Sequence, residues 1–240
     1  MLSYDQLKDR PRDFLAATGL TLTEFETLVA AFEAAYAKQY PCERTHEGKA
    51  RQRRVGGGAK GQLQSVGNKL LFIMVYQKTN PLQTMHALQF AMSQPQANYW
   101  IQRLLPVLHQ ALREGGQAPE RDASRVGSSA GAREGGANLA IDGTERRRQR
   151  PHEAAQQQAH YSGKKKAHTD KNILLVNENT GKVIYLGPTV AGKLHDKKAA
   201  DEAQIVYPPN ATLDKDRGFQ GSEPTGVLTT QPKKNRKARN

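Results

Sequence analysis

The sequence has a single cysteine, Cys42, in 240 residues. That excludes a disulfide framework and any cysteine-rich zinc site. None of the seven histidines forms a His-x-x-x-His pair with a cysteine partner, so zinc chemistry has no foothold. No apolar run approaches the roughly 20 residues that span a bilayer. The first ten residues, MLSYDQLKDR, lack the apolar stretch of a secretory signal, so a cytoplasmic protein is expected. Aromatic residues are 6% and hydrophobic residues 37% of the chain, with mean hydropathy −0.75, so loops and a polar surface are expected. Acidic side chains are also short: 23 against 36 basic ones, a net charge of +13 and a pI near 9.9.

The positive charge is concentrated in blocks. Residues 48–118 carry nine basic side chains and one acidic, Glu114. Residues 144–198 carry twelve and five. A solvated face usually mixes signs, so two such blocks point to a polyanion, and nucleic acid is the expected partner. No basic amphipathic helix with an apolar anchor stands out, which disfavours a membrane surface.

The chain divides by grammar. Residues 1–112 read as a helical domain. Leu22, Phe25, Leu28, Val29, Phe32 and Tyr36 have helical spacing, with Thr23 and Glu26 placed as a capping box. Residues 51–63, RQRRVGGGAKGQL, form a basic glycine-rich segment without a preceding strand or a Gly-Lys-Ser/Thr ending. That excludes a nucleotide P-loop and predicts a phosphate-contacting loop bearing Arg51, Arg53, Arg54 and Lys60. Residues 68–77 are an apolar helix. Asn80 and Pro81 are expected to open a second helix burying Leu82, Met85, Leu88 and Phe90. Ser93 caps a third, about 95–105, which Pro106 should kink or end. The tight Ala91-Met92-Ser93 turn suits a helix-turn-helix, with Gln94, Gln96, Asn98 and Arg103 as candidate DNA contacts.

Residues 113–137 lack periodicity and read as a flexible linker. From 138 to 240 short strands take over. Asn138–Asp142 is an apolar strand ending in a carboxylate before Gly143. Residues 172–176 and 183–187 flank NENTGK as a hairpin, 196–204 suit a helix, and 211–216 form a strand ending in Asp216 before Gly218. If the two Asp-bearing strands are neighbours, Asp142 and Asp216 share one sheet edge. Two such carboxylates suit Mg²⁺ or Mn²⁺ and metal-assisted attack on a phosphodiester. Asp196 is a weaker rival ligand. The stretch from His160 to His168, with Lys164, Lys165 and Lys166, could grip phosphates.

Several motifs occur in one order: Asp142-Gly-Thr-Glu145, Arg150-Pro151, Tyr161-Ser-Gly-Lys-Lys-Lys-x-His-Thr169, His195-Asp-Lys-Lys198 and Asp216-Arg-Gly-Phe-Gln-Gly221. Together they resemble a bacterial insertion-sequence transposase of the DDE type, in the Harbinger-like branch. The helix-turn-helix region is similar too. The resemblance implies a ribonuclease-H-like mixed-sheet core behind a DNA-binding helical domain, hence an α+β to α/β chain. It implies Mg²⁺-dependent DNA cleavage and strand transfer at element ends, with Asp142 and Asp216 as catalytic metal ligands and Asp196 in support. It also implies a nucleoid-associated bacterial protein acting on element ends and target DNA, and a homo-oligomer. The family's third carboxylate is a Glu on a helix well downstream of the second Asp. Here 24 residues follow Asp216 and none suits that role; Glu223 lies too close. The expectation is therefore an incomplete ribonuclease-H-like domain in a shortened copy, inactive by itself. A DNA-binding regulator or inhibitor of transposition is the alternative.

Overall fold

Apolar spacing organises the first half. The computed structural model describes residues 1–43, 49, 50, 52 and 61–232, and the chain forms two units, Met1–Gln117 and Ala118–Asn240. Arg51, Arg53, Arg54 and Lys60 lie outside the described residues.

The first unit is helical: α1 (Tyr4–Leu7), α2 (Pro11–Thr18), α3 (Leu22–Gln39), α4 (Val66–Thr79), α5 (Gln83–Gln89) and α6 (Gln94–Glu114). The Phe14, Phe25, Phe32, Phe72 and Phe90 rings, with Leu70, Leu71, Ile101 and Leu104, are buried in its core. The capping box of α3 is two residues earlier than expected, at Thr21 and Glu24: the Thr21 hydroxyl accepts from Glu24 N while Glu24 accepts from Thr21 N. Asn80 ends α4 instead of opening α5; its left-handed backbone (φ 43°) closes a bond from its own N–H to Tyr76 O. Leu82, Met85 and Leu88 are exposed, and α5 buries His86 and Ala87 instead. Helix α6 runs through Pro106. Proline removes one N–H, but Val107, Leu108 and Ala111 beyond it are buried, and their packing carries the helix on.

The second unit opens with structure where a linker was expected. Residues Ala123–Ser128 form a 3₁₀ helix and Ala130–Arg133 form α7. Val126 and Ala132 anchor both in the core at 0% exposure, so a polar segment is ordered by two small apolar side chains. The rest comprises β1 (Asn138–Arg147), α8 (Ala154–His160), β2 (Tyr161–Ser162), β3 (Ala167–Asn177), β4 (Val183–Leu186), β5 (Val190–Ala191), α9 (Asp196–Ala203), β6 (Thr212–Lys215), a 3₁₀ turn at Arg217–Phe219 and β7 (Leu228–Thr230). The sheet order is β2-β3-β1-β6-β7, with β4 and β5 also on β3. Strand β3 runs antiparallel to β1, β4 and β5, whereas β6 is parallel to β1 and β7 parallel to β6. A meander followed by parallel strands on the far side of β1 is consistent with a ribonuclease-H-like sheet.

Strand β1 does not stop at Asp142. Eleven-residue β3 supplies partners as far as Arg147, pairing Gly143 with Ile173 and Glu145 with Lys171. The expected hairpin is present, with Leu174 opposite Leu186.

Candidate nuclease site

Strands β1 and β6 are parallel neighbours, and their last paired positions are Ile141 and Lys215. The next residue on each is Asp142 and Asp216. Gly143 follows Asp142 inside β1, which runs on to Arg147, and Gly218 lies two residues after Asp216 in the 3₁₀ turn beyond β6. Ile141 and Lys215 are buried, whereas Asp142 and Asp216 are exposed. Each aspartate is oriented locally: Asp142 Oδ1 accepts from Gly143 N at 2.7 Å, and Asp216 Oδ1 accepts from Gly218 N at 2.7 Å. The second bond caps the short 3₁₀ turn. Each other carboxylate oxygen has no hydrogen-bond partner among the described residues.

Asp196 stands beside this edge but is committed elsewhere. It is the first residue of α9, whose N-cap is His195. Its Oδ1 lies 2.7 Å from Lys171 Nζ, an ion contact without directed hydrogen-bond geometry. Lys171 is 4% exposed, lies 3.4 Å from Glu145 Oε1 and donates to Leu194 O at 2.7 Å. One cation thus holds two carboxylates and the turn before α9. Burial alone would raise the Glu145 pKa; the Ser162 hydroxyl, the Lys171 charge and the Thr169 hydroxyl outweigh it and hold the group below its ordinary value. The fit around Asp196 leaves no room for side chains. A Cβ on Gly143 would meet Asp196 Oδ1 at 2.7 Å, and one on Gly218 would meet Asp196 Oδ2 at 2.9 Å.

Glu223 is also occupied. Its carboxylate accepts from the buried Lys215 ammonium at 2.7 Å and from Thr229 Oγ1 at 2.6 Å, and Lys215 donates to Ser222 O as well. These contacts pin the 216–223 loop to the strand that carries Asp216. Among the described residues no three His, Cys, Asp or Glu side chains are placed to hold one ion. The two free aspartate oxygens are nevertheless hard donors. Mg²⁺ commonly takes only one or two carboxylates and fills its octahedron with water and substrate phosphate, so donors of this kind suit that ion.

A cavity of about 330 Å³ adjoins Asp216 and is lined also by Glu145, Lys164, Lys171, Lys193 and Asp196. Lys165 and Lys166 are exposed on the same turn between β2 and β3. His168 lies against a second cavity, of about 470 Å³, with Arg150, Gln157 and Tyr161.

In the first unit, α5, the turn at Phe90–Ser93 and α6 form the helix-turn-helix pair. Ala91 in that turn has φ 51°, an uncommon conformation for a residue with a side chain. The N-terminal half of α6 exposes Gln94, Gln96 and Asn98. Gln96 closes the capping box with Ser93, and Gln83 bridges Gln94 and Asn98 by side-chain bonds of 2.7 and 3.2 Å. Arg103 differs from the others. Its guanidinium sits 3.4 Å from the centroid of the Tyr40 ring and is half-buried, with Tyr36 and Tyr99 nearby.

The sequence reading missed Lys171 and Glu145 as a linked pair. Their signal was available: in a strand reading Thr-Asp-Lys-Asn-Ile-Leu-Leu-Val, Lys171 falls on the same face as Ile173 and Leu175. A charge on an apolar face requires a partner.

Among the described residues no single helix is long and apolar enough to cross a membrane. No curated protein and no solved structure matches the chain. Two family models do. Residues 61–114, which contain α4, α5 and α6, match the helix-turn-helix of DDE superfamily endonuclease. Residues 141–240, which begin one position before Asp142, match DDE superfamily endonuclease, a superfamily whose members use divalent metals. The C-terminal region is thus similar to a DDE superfamily endonuclease domain, and the helical region before it to that superfamily's helix-turn-helix.

Proposed function

We propose that the chain is a Harbinger-like transposase of a bacterial insertion sequence, nucleoid-associated in the cytoplasm, that binds element ends through its helix-turn-helix. The parallel pairing of Ile141 with Lys215, one position before Asp142 and Asp216, carries this reading. The two carboxylates would hold Mg²⁺ or Mn²⁺; when bound, that ion polarises a phosphate oxygen and lowers the pKa of water. The chain's own residues orient and shield. Gly143 N and Gly218 N each fix one oxygen of an aspartate. The Lys215–Glu223 pair fixes the loop that carries Asp216. Lys164 and Lys193 supply positive charge for phosphate beside it. Of the expected DNA contacts on α6, Gln94, Gln96 and Asn98 present amides suited to base edges. Arg103 instead braces Tyr40.

A two-metal cut needs more ligands than two carboxylates. Asp196 and Glu223 are tied to Lys171 and Lys215. That favours a second element in the reading: this polypeptide by itself binds DNA and regulates or inhibits transposition without transferring strands. A homo-oligomer or a full-length partner would supply what is lacking. The experiment incubates the chain with Mn²⁺ and DNA carrying the element's terminal repeats. Retarded but uncut DNA is expected. Strand transfer abolished by Asp142→Asn would overturn the regulatory reading and establish the catalytic one; no retardation would overturn both.

A further inference from the structure

The two cavities of the second unit adjoin, sharing Tyr161 and Lys193. One end of the resulting trough holds Asp216, and the other holds Arg150, Gln157, Gln158 and His168. Tyr161 stands at the junction and is 45% exposed. It meets His168 in a T-shaped contact at 5.6 Å, which leaves at least one face of its ring uncovered by that partner. Arg150 is pre-set by two bonds, of 3.0 and 2.8 Å, to the Gln157 side-chain oxygen, and Gln157 is held in turn by Pro151 O.

This combination is informative because of its shape. A paired base is stacked inside the duplex and cannot enter a concavity. A duplex running past would meet cations on a convex or flat surface and would have no use for an aromatic ring set between two cavities. An unpaired base presents a π-face and free hydrogen-bonding edges, and proteins take such bases on aromatic rings beside cations that track the phosphates. Amide side chains at 157 and 158 can meet the base edge. Lys193, at the shared wall, lies where the adjoining phosphate would pass toward Asp216.

We propose that this trough binds one unpaired nucleotide of the DNA strand that reaches the Asp142–Asp216 edge, with Tyr161 as the stacking platform for its base and Lys193 against its phosphate. The inference rests on the reading of that edge as a nuclease site. It adds that the DNA end is opened there, and it makes Tyr161 a positioning residue for the strand.

The test measures equilibrium binding of the full chain by fluorescence polarisation in EDTA, so that no metal chemistry contributes. Three DNAs share one duplex: a blunt end, the same end with a five-nucleotide overhang, and that overhang made abasic at each position in turn. The overhang is expected to bind more tightly than the blunt end, and one abasic position is expected to remove most of the advantage. Tyr161→Ala should weaken overhang binding about 5- to 150-fold, the range for losing one stacked base, and leave blunt-end binding within about twofold. Tyr161→Phe, which keeps the ring, should retain the preference and shows that the ring rather than the fold is being read. Blunt-end binding with no overhang preference, or an equal loss on both DNAs in Tyr161→Ala, would overturn the trough and leave the nuclease reading standing. Binding to neither DNA would overturn both.

Discussion

Replacing Lys171 with methionine tests how the candidate-site edge is held together. The substitution keeps most of the side-chain volume and removes the charge. It leaves Glu145, whose side chain is 8% exposed, and Asp196, at 20%, facing each other without their cation. It also leaves Leu194 O without its donor. Breaking a buried pair by deleting one partner costs about 3–5 kcal/mol; Asp196 retains some water, so the expected loss is about 3 kcal/mol. The pH dependence has a definite sign. In the native protein Glu145 titrates below its ordinary 4.5. It therefore contributes stability that is present above that value and is lost as the pH falls through the lower folded value. In Lys171→Met the same carboxyl, now met only by the Ser162 and Thr169 hydroxyls, should titrate higher than in the native protein. Protonation then relieves the variant, and its deficit should shrink as the pH is lowered from 7 to 4.5. Urea unfolding followed by far-ultraviolet circular dichroism, with hydrogen exchange on β1 and β3 assigning the transition to the second unit, gives both quantities. Adding Glu145→Gln to the variant should recover about 1 kcal/mol or more, because one of the two stranded charges is gone. A loss below about 1 kcal/mol, or a deficit that grows in acid, would refute this account of the cluster.

The first unit should also respond to acid, through one residue. His86 is fully buried against Phe72, Tyr76 and Phe90, and neither ring nitrogen has a hydrogen-bond partner. Burial lowers its pKa below 6.5, only partly offset by the nearby Gln89 side chain and Phe72 carbonyl. The unfolded chain takes up this proton first, so stability should fall as the pH drops below 6.5; His86→Phe should abolish that slope in urea melts and raise stability at pH 5 by about 1 kcal/mol. Ala91→Gly should stabilise the helix-turn-helix by about 0.5–1 kcal/mol in the same assay, since glycine adopts its positive φ without the Cβ penalty.

Where one apolar periodicity decided the structure, the sequence was readable. The Ser93 cap, the β3–β4 hairpin and the helix near 196 all follow from local spacing and turn chemistry. Elements fixed by distant contacts were not readable. Pro106 announces a break that Val107, Leu108 and Ala111 override by packing. Residues 123–133 look like a tether until Val126 and Ala132 are seen in the core. Leu82, Met85 and Leu88 have the spacing of a buried stripe, yet α5 turns that stripe outward and buries His86. At the candidate site, the local pattern is a glycine one residue after Asp142 and two residues after Asp216. The parallel pairing of Ile141 with Lys215, one position before the two aspartates, depends on β6 returning beside β1 across more than seventy residues, which no local pattern encodes.

The central claim is that Asp142 and Asp216 together hold one divalent cation. Isothermal titration of the full chain with Mn²⁺ at pH 7, set against Asp142→Asn and Asp216→Asn, measures it directly. One site is expected, weakened at least tenfold by either substitution and no further by both together, because each single change already dismantles it. Binding that survives both substitutions, or that is lost with one aspartate and indifferent to the other, would contradict the account.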